Sequence, residues 1–474
     1  MTAPLTKLLA DALGSARHPI ESTSGERADP SALLALAAQI AEDLSRHTSL
    51  RDEPVLVRMD NRPSDLATLL GVWQGGAVAV PVHVAAAAAT VERLQRRTQA
   101  RFVVDPDGLR MIARPLPPSR PLLREAALVI FTSGSTGEPK GAVLGHARFT
   151  GKLEVLDALL GLRADDVVLL PLQLNFIFGL WVSLLALRRG ARLVLVPKFS
   201  REAIERGLGE ATVIAGVPSM YRTLLAEAAP RAPRLRVLLT GGEVLAPTLA
   251  DAMRRFTDAA IYDLYGLTET GSCDFCLAPA DQPGGFGTIG RPTDHVTFRI
   301  APDGELQIET WYGMLGYLDD PDLTKASSED GCFKTGDLAR LTETGHVQLI
   351  GRAKDIVSRG GHKIAPLEID NLLAEHPDVA AALCAGVPDE RLGEVIHAVV
   401  VPRAGARLDG AALREWLLAR TERFKVAGSL SRPGRPAGRL DRQGGPPRRR
   451  GVHRRETLSR TATAADAGRS SQVG

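Results

Sequence analysis

The residues with the clearest chemical potential form one short stretch, 132–141, which reads Thr-Ser-Gly-Ser-Thr-Gly-Glu-Pro-Lys-Gly. It follows an uncharged run of β-type residues, 126–131. Glycines let the backbone turn its N–H groups toward an anion, the hydroxyls add donors and the lysine adds a positive charge. A polar turn is the simpler interpretation, and the Gly-Lys-Ser/Thr spacing of the common nucleotide loop is absent. We nevertheless expect this strand end to hold a polyphosphate, through Thr132, Ser133, Gly134, Ser135, Thr136, Gly137 and Lys140.

A second stretch, 262–271, reads Tyr-Asp-Leu-Tyr-Gly-Leu-Thr-Glu-Thr-Gly. The ring of Tyr265 can stack on a purine, and Gly266 lets a ligand lie close to the backbone. Thr268 can donate a hydrogen bond to a phosphate oxygen, and Glu269 offers a hard oxygen ligand for Mg²⁺. Alone, this pattern also suits a strand end followed by a helix start. Together with residues 132–141 it predicts a nucleotide site.

Strands and helices must position these residues, and the chain alternates between the two patterns. Buried strands are expected at 166–171, 192–196, 212–217 and 236–240, with a helix at 180–187. Such alternation is typical of layered α/β folds, in which ligand loops follow the carboxyl ends of strands. The chain has 474 residues, which is too long for one hydrophobic core, so we expect two or three domains.

The two stretches resemble the phosphate loop and the Tyr-Gly-x-Thr-Glu motif of the adenylate-forming superfamily. Its members are acyl- and aryl-CoA ligases, luciferases and the adenylation domains of peptide synthetases. The resemblance implies an α/β fold with a large multi-subdomain N-terminal adenylation domain and a small mobile α+β C-terminal domain. It also implies that Tyr265 packs on adenine, that Thr268 contacts the adenylate phosphate and that Glu269 binds magnesium. The family's adenine-flanking loop is matched by Gly241, Gly242 and Glu243.

Later motifs extend the resemblance over about residues 122–401. The stretch 333–338 is similar to the family's Thr-Gly-Asp motif, which implies that Asp337 accepts hydrogen bonds from both ribose hydroxyls. In 351–356, Arg352 takes the place of an arginine that reaches the ribose or phosphate, and Lys354 that of the hinge residue. A glycine loop that lines the pantetheine tunnel in the family's CoA ligases is matched by Gly360 and Gly361.

These motifs divide the chain into an adenylation domain at 1–351, a small C-terminal domain at 352–425 and a tail at 426–474. The tail has eleven arginines, three acidic residues and no lysine, and it is rich in Gly, Pro and Ser. Its composition predicts disorder. The tail lacks interleaved aromatics, so nonspecific electrostatic attraction to an anionic partner is the most that it indicates, and we expect no specific nucleic-acid partner.

The family carries a lysine in a Pro-x-Thr-x-x-Gly-Lys loop near its C-terminus, where it bridges the carboxylate and the α-phosphate. No lysine follows Lys425 in this chain. The string 438–442 places an arginine where that lysine would stand, and 458–463 breaks off before it. Arginine is a poor substitute where a compact point charge is needed. We therefore expect adenylation to be impaired, with less effect on the thioester-forming step.

The implied chemistry uses ATP, Mg²⁺ and CoA: a carboxylate is first converted to an acyl-adenylate, and a thiol then displaces AMP. Asn175, Phe176, Gly179 and Gly241 are expected on the substrate side, with Asn175 standing about where many ligases have histidine. No acidic residue is present there to hold an α-ammonium group, which favours an aryl or fatty acid over an amino acid. Two alternatives remain: transfer to a carrier-protein thiol, and a nucleotide-binding remnant without turnover.

Other features set limits on these hypotheses. The four cysteines do not form a disulfide framework, and the N-terminus lacks a signal-peptide pattern, so we expect a cytoplasmic protein without a membrane span. Cys273 and Cys276 have metal-ligand spacing but no second ligand pair, so small pocket or core residues are the better interpretation. The string 285–290 satisfies the dinucleotide fingerprint, but no strand–helix unit surrounds it, and we reject a nicotinamide site there.

Overall fold

The computed structural model describes eight segments of the chain, and all structural statements below concern these residues. Within them, no helix is long and apolar enough to cross a membrane. The segments are 4–46, 52–106, 108–112, 120–132, 139–226, 230–403, 405–431 and 438–439.

Helices cover the faces of the sheets, and some of them have a side-chain cap at the N-terminus. In the helix that begins at Pro63, the Asp65 carboxylate accepts the backbone N–H of Arg62 at 3.0 Å. The helices are α1 Pro4–Ser15, α2 Pro30–Ser45, α3 Pro63–Gln74, α4 Ala88–Thr98, α5 His146–Leu160, α6 Ile177–Arg188, α7 Arg201–Leu208, α8 Pro218–Leu224, α9 Pro247–Phe256, α10 Gln282–Gly285, α11 Pro321–Ala326, α12 Pro366–Ala374 and α13 Gly410–Leu418.

Most strands are short and rich in Val, Ile and Leu, as expected for strands buried on both faces. They are β1 Ile20–Ser22, β2 Arg27–Ala28, β3 Pro54–Met59, β4 Val78–His83, β5 Phe102–Asp105, β6 Gly108–Met111, β7 Ala126–Thr132, β8 Lys140–Gly145, β9 Val167–Leu170, β10 Arg192–Leu195, β11 Val213–Gly216, β12 Val237–Gly241, β13 Ala260–Tyr265, β14 Phe275–Leu277, β15 Arg291–Pro292, β16 Val296–Ile300, β17 Glu305–Thr310, β18 Gly316–Tyr317, β19 Ser328–Glu329, β20 Cys332–Leu341, β21 Val347–Arg352, β22 Val357–Arg359, β23 His362–Ile364, β24 Val379–Asp389, β25 Gly393–Pro402, β26 Ser429–Ser431 and β27 Gly438–Arg439.

Two large sheets form the N-terminal part of the chain. One has the strand order β15-β14-β13-β12-β11-β9-β10-β1-β2, and the other has the order β18-β8-β7-β4-β3-β5-β6. Their central strands are parallel, and antiparallel strands close the edges. Helix α6 is buried along nearly its whole length, and its residues belong to the core that joins the two sheets. The predicted α/β fold is confirmed, and the four strands expected between 166 and 240 are present as β9–β12.

A smaller five-stranded sheet, β16-β17-β20-β19 with β21 beside β20, connects this part to the C-terminal unit. The C-terminal unit has its own sheet, β23-β22-β25-β26-β27 with β24 beside β25, and its own core. Val426 and Ala427 are each 1% exposed in that core, and β26 pairs with β25. The expected domain end after Lys425 therefore falls inside this folded unit, because Val426 and Ala427 belong to its core and β26 and β27 belong to its sheet.

Candidate functional site

The carboxylate of Glu269 is the meeting point of three elements. Thr132, the last residue of β7, donates its hydroxyl hydrogen to Glu269 Oε1 at 3.0 Å. Tyr317 of β18 donates to the same oxygen at 3.2 Å, and burial together with the Glu269 charge raises the pKa of that phenol. Lys140 Nζ lies 5.7 Å from the centre of the Tyr317 ring. The structure thus brings the ends of the predicted phosphate-loop strands to the predicted metal ligand.

The loop that carries Thr268 and Glu269 is held in a tight turn. Three successive residues, Gly271, Ser272 and Cys273, have positive φ angles of 88°, 69° and 52°. Two of them are not glycine, so this backbone is strained and must be held by its surroundings. Thr268 is half-buried, and its hydroxyl makes no hydrogen bond to a described residue, which leaves it able to meet a ligand.

A buried ion pair stabilises this turn. Lys152 Nζ lies 3.6 Å from Asp274 Oδ1, and both side chains are at most 3% exposed. The other carboxylate oxygen of Asp274 accepts the hydroxyl hydrogen of Thr270. Burial raises the pKa of Asp274, while Lys152 and Thr270 act in the opposite direction. This network fixes the segment that immediately follows Glu269.

A second network of polar side chains lies where the ribose is predicted to bind. Tyr265 donates its phenolic hydrogen to Asp337 Oδ2 at 2.6 Å, and Arg352 Nε lies 2.8 Å from Asp337 Oδ1. Asp337 and Arg352 face each other across β20 and β21. Burial, and then the Asp337 charge, raises the pKa of Tyr265. A carboxylate has about four acceptor positions, so Asp337 retains two for a vicinal diol.

The residues predicted to flank adenine form a turn with a positive φ angle. Gly242 has a φ of 80°, a conformation that side chains rarely adopt. Glu243 accepts hydrogen bonds from the Ser219 backbone N–H at 3.0 Å and hydroxyl at 2.7 Å, which ties this turn to helix α8. A Cβ at Gly241 would collide with the Leu264 carbonyl oxygen, so Gly241 keeps β12 and β13 in contact.

A cavity of about 680 Å³ opens between the N-terminal part and the C-terminal unit. Seven residues predicted for the nucleotide or hinge lie on its wall. Helix α12 and strand β24 of the C-terminal unit form the opposite wall. The seven predicted residues are Gly242, Glu243, Tyr265, Gly266, Asp337, Arg352 and Lys354.

Three of the four predicted substrate-side residues, Asn175, Phe176 and Gly179, lie before and within α6, whereas Gly241 ends β12. Asn175 Oδ1 is buried and has no hydrogen-bond partner among the described residues, whereas Phe176 is 58% exposed. A Cβ at Gly179 would collide with the Gln173 carbonyl oxygen, so Gly179 serves close packing. The rings of Phe178 and Trp181 stack at 5.1 Å.

Several predicted residues in the described part of the chain do not line this cavity: Thr132, Lys140, Thr268 and Glu269, the four substrate-side residues, and Gly360 and Gly361. Gly360 and Gly361 form the exposed turn between β22 and β23, away from its wall. Most of the phosphate loop, 133–138, lies outside the described residues, so the expectations for Ser133, Gly134, Ser135, Thr136 and Gly137 remain predictions.

The donor set near Glu269 fits magnesium only in combination with a substrate. Among the described residues, no three His, Cys, Asp or Glu side chains converge in a way that could hold a metal ion. Mg²⁺ is usually bound by one or two carboxylates together with phosphate oxygens and water. Glu269 as the protein ligand, beside the phosphate-loop strands, matches that requirement.

Comparison with known proteins decides the family. The AMP-binding enzyme family matches residues 23–317, and the C-terminal domain of AMP-binding enzymes matches residues 368–433. The chain belongs to the AMP-binding enzymes. It is an adenylate-forming ligase of the acyl- and aryl-CoA type, and the predicted use of ATP and CoA is confirmed.

Three relatives illustrate this ligase class. A feruloyl-CoA synthase from Amycolatopsis sp is 32% identical over 78% of this chain and 82% of its own length. An indoleacetate–CoA ligase from Aromatoleum aromaticum is 34% identical over 63% of this chain and 62% of its own length. A fatty acid–[acyl-carrier-protein] ligase, ScoC, from Streptomyces coeruleorubidus is 33% identical over 66% of each chain.

A solved structure shares the whole architecture of this AMP-binding enzyme. ATP-bound MatB from Rhodopseudomonas palustris has a TM-score of 0.79 and 25% identity, with 91% of this chain and 95% of that chain covered. The likeness includes both the large N-terminal part and the small C-terminal unit.

Several residues on the cavity wall were not predicted from the sequence. Gly287, Thr288 and Ile289 belong to the glycine-rich string that we rejected as a nicotinamide site, and they line this cavity instead. Asp263 also lies on the wall, where its enclosure raises its pKa to about 8. The sequence signal that could have identified Asp263 as a wall residue is its position two residues before Tyr265.

Proposed function

We propose that this AMP-binding enzyme activates an aromatic carboxylic acid and transfers the aroyl or arylacyl group to CoA. The observation that carries the proposal is the hydrogen bond between Thr132 and Glu269, which joins the phosphate-loop strand to the proposed metal ligand. The acid carboxylate attacks the α-phosphorus of ATP, and pyrophosphate leaves. The CoA sulfur then attacks the acyl carbon, AMP leaves and the thiol proton passes to solvent.

In this scheme the protein acts mainly by positioning and by charge. Glu269 holds Mg²⁺, which neutralises phosphoryl charge when bound. The free hydroxyl of Thr268 donates to the α-phosphate, and Lys140 adds a positive charge at the same strand ends. Tyr265 provides the ring against which adenine lies, and Asp337 accepts the ribose hydroxyls through its remaining lone pairs.

The aromatic substrate class is supported by two independent features. Two of the relatives above are named for feruloyl and indoleacetate groups. On the predicted substrate side, residues 172–180 carry no charged side chain, and the ring of Phe176 is 58% exposed. Aromatic surfaces favour offset or edge contacts with further rings.

A carrier protein is the second candidate acceptor, because ScoC is named for transfer to an acyl carrier protein. We also propose that adenylation is slowed in this chain, since it has no lysine after Lys425. Gly438 and Arg439 form strand β27 against β26, which places the backbone of Arg439 opposite Ser429. On the sequence pattern of 438–442, Arg439 is the cation that we assign in place of the lysine. We further propose a domain limit near 351, a C-terminal domain that includes β27, and a cytoplasmic location.

The test separates the two half-reactions. Pyrophosphate release from ATP is measured with aromatic and fatty acids, and thioester formation is measured from supplied synthetic aroyl-adenylates with CoA or a holo-carrier. Acid-dependent release with aromatic acids, and thioester formation with CoA, are expected. Arg439→Lys should accelerate pyrophosphate release without changing the second step. ATP binding without either half-reaction would contradict the proposal and indicate a nucleotide-binding remnant.

A further inference from the structure

One polar side chain reaches from one large sheet into the other. Asn61 follows β3 and is 0% exposed. Its amide nitrogen donates to the Leu172 carbonyl oxygen at 3.1 Å and to the Val196 carbonyl oxygen at 3.0 Å. Its amide oxygen accepts the backbone N–H of Leu174 at 2.9 Å. Burying an amide costs free energy unless its donors and its acceptor are paired, and those of Asn61 are.

These contacts lie at the carboxyl ends of two parallel strands. Leu172 comes two residues after the end of β9, and Val196 comes directly after β10, which pairs with β9. Strand β3 belongs to the other large sheet, so the Asn61 side chain crosses between the two sheets at this edge. In α/β folds, ligands bind outside the carboxyl ends of parallel strands. Asn61 therefore acts on a part of the sheet where a ligand loop is expected.

The segment that Asn61 holds leads directly into the predicted substrate side. Leu172 and Leu174 come immediately before Asn175 and Phe176, and α6 follows. Asn61 is bonded to the backbone of this segment, to a carbonyl oxygen on one side of residue 173 and to an N–H on the other. It therefore fixes the path of the chain, and with it the place from which the next two side chains extend.

Gln173 gives the same segment a second attachment. Its side-chain nitrogen donates to the Pro197 carbonyl oxygen at 3.1 Å, and its own carbonyl oxygen accepts the Phe176 N–H at 3.2 Å. A Cβ at Gly179 would collide with that carbonyl oxygen, so α6 packs directly against the turn. The path from 172 to 179 is therefore held by Asn61 before the turn and by α6 after it.

Adhesion between the sheets does not explain an amide at this position. Met59, Leu172 and Leu174 already belong to the apolar core between the sheets. An apolar side chain at 61 would add to that core without the desolvation cost of an amide. The backbone of Asn61 is also strained, because its φ of 67° is a conformation that residues other than glycine rarely adopt. Strain that is held by a complete set of hydrogen bonds indicates a role in positioning.

We propose that Asn61 is a positioning residue for recognition of the carboxylic acid. It acts through 172–174, which it holds so that Asn175 and Phe176 keep one position on the acid side. The inference rests on the proposed function, in which this segment meets the acid. The residues that Asn61 hydrogen-bonds do not line the nucleotide cavity. Loss of the amide should therefore weaken recognition of the acid and leave nucleotide binding unchanged.

The test uses Asn61→Gly in the full-length protein, because glycine tolerates the positive φ and only the amide is lost. Pyrophosphate release is measured as a function of acid and of ATP concentration. If the segment keeps its position about a tenth of the time without the amide, the KM for the acid rises about tenfold. The KM for ATP should stay at the wild-type value.

The matched control is Thr212→Val, which also removes two buried hydrogen bonds. The Thr212 hydroxyl donates to Asp166 at 2.7 Å and accepts the Val167 N–H at 3.0 Å. These bonds lie at the amino ends of β9 and β11, away from the segment that Asn61 holds. T212V should lower thermal stability and change neither KM.

Amide hydrogen exchange supplies a readout that needs no turnover. N61G should lose protection at the Leu174 and Phe176 N–H groups, while β9 and β10 keep theirs. N61D retains an acceptor for Leu174 but loses both donors, so it should change exchange and the acid KM in the same direction. It replaces N61G if that variant does not fold.

An unchanged acid KM in a folded variant would overturn the assignment, and so would exchange that rises equally across β9 and β10, because an amide with only a structural role predicts those results. The proposed function fails in a different way. If the wild type releases pyrophosphate only with fatty acids, the aromatic class is wrong, and the KM comparison is made with the fatty acid. If no acid supports release in the wild type, the proposed function has failed, and hydrogen exchange decides whether Asn61 holds the segment.

Discussion

Lys425 Nζ lies 2.8 Å from Glu368 Oε1 and 3.1 Å from Glu422 Oε2. Partial burial disfavours the charged lysine, but the two carboxylates outweigh it and raise the pKa of Lys425. Its neighbour Phe424 stacks on His362 at 4.2 Å. The last lysine of the chain is thus bound into the packing of the C-terminal unit, and it is not on the wall of the nucleotide cavity.

Replacing Lys425 with methionine should therefore lower stability without a specific effect on adenylation. The pair is partly exposed, so we expect a loss of about 1 kcal/mol in the free energy of unfolding. Thermal unfolding and pyrophosphate release are the measurements, with Lys7→Met, which breaks an exposed pair with Asp11, as the control. Loss of pyrophosphate release at unchanged thermal stability would show that Lys425 is the adenylation lysine after all.

Glu269→Gln should show whether the proposed metal site depends on the negative charge of Glu269 or on the hydrogen bonds that its side chain accepts. Glutamine can still accept hydrogen bonds from Thr132 and Tyr317, but it loses the negative charge that attracts Mg²⁺. We expect pyrophosphate release to fall by about a hundredfold, with a raised Mg²⁺ requirement. Tyr317→Phe removes one hydrogen bond and keeps the carboxylate, so it should have a much smaller effect. Equal losses in the two variants would argue for a purely structural carboxylate.

The Lys152–Asp274 pair predicts a strong effect on stability, since it is a buried ion pair next to the loop that carries Glu269. Lys152→Met leaves the Asp274 carboxylate buried without its partner, and we expect a loss of about 3–5 kcal/mol. The double variant K152M/D274L, which removes both charges, should be less destabilised than the sum of the single variants. Urea unfolding measures both quantities. Full additivity would mean that the two charges do not interact.

The sequence was most informative where a chemical role needs a particular residue at a strand end. Thr132, Glu269, Tyr265 and Asp337 were all predicted from residue type and motif, and the structure joins them in two hydrogen-bonded clusters. The strands before them were found because parallel, doubly buried strands are continuous apolar runs. The contact between Tyr265 and Asp337 was not foreseen, because it depends on the approach of two sheets.

Some features of the site could not be predicted from the sequence, for physical reasons. Gly179 and Gly241, which are predicted on the substrate side, each also permit a close backbone contact that sequence spacing does not show. The sequence predicts a domain limit after Lys425 because the amino-acid composition changes there. The core of the C-terminal unit, however, needs two more apolar residues, Val426 and Ala427, and then a strand. Amino-acid composition distinguishes a folded domain from a long polar tail. It does not show where the last strand of the domain ends.

Asp263 gives a prediction for pH dependence. Its enclosure at the cavity wall raises its pKa to about 8, with a backbone hydrogen bond at Leu264 acting in the opposite direction. An aspartate in an unfolded chain titrates near about 4. Between these values the folded protein holds one more proton than the unfolded chain, so stability must fall as pH rises. The slope is at most about 1.4 kcal/mol per pH unit, and it ends above the folded pKa.

Asp263→Asn removes this titration while keeping the size of the side chain. The free energy of unfolding of the wild type relative to D263N should therefore decrease from about pH 5 to about pH 8 and then level off. Urea unfolding across this range provides the measurement, and Asp322→Asn on helix α11 is the exposed control. A wild-type curve parallel to that of D263N would mean that Asp263 is already ionised at the lower end of the range. In that case the cavity would present a negative charge to the nucleotide, and D263N should bind ATP more tightly than the wild type.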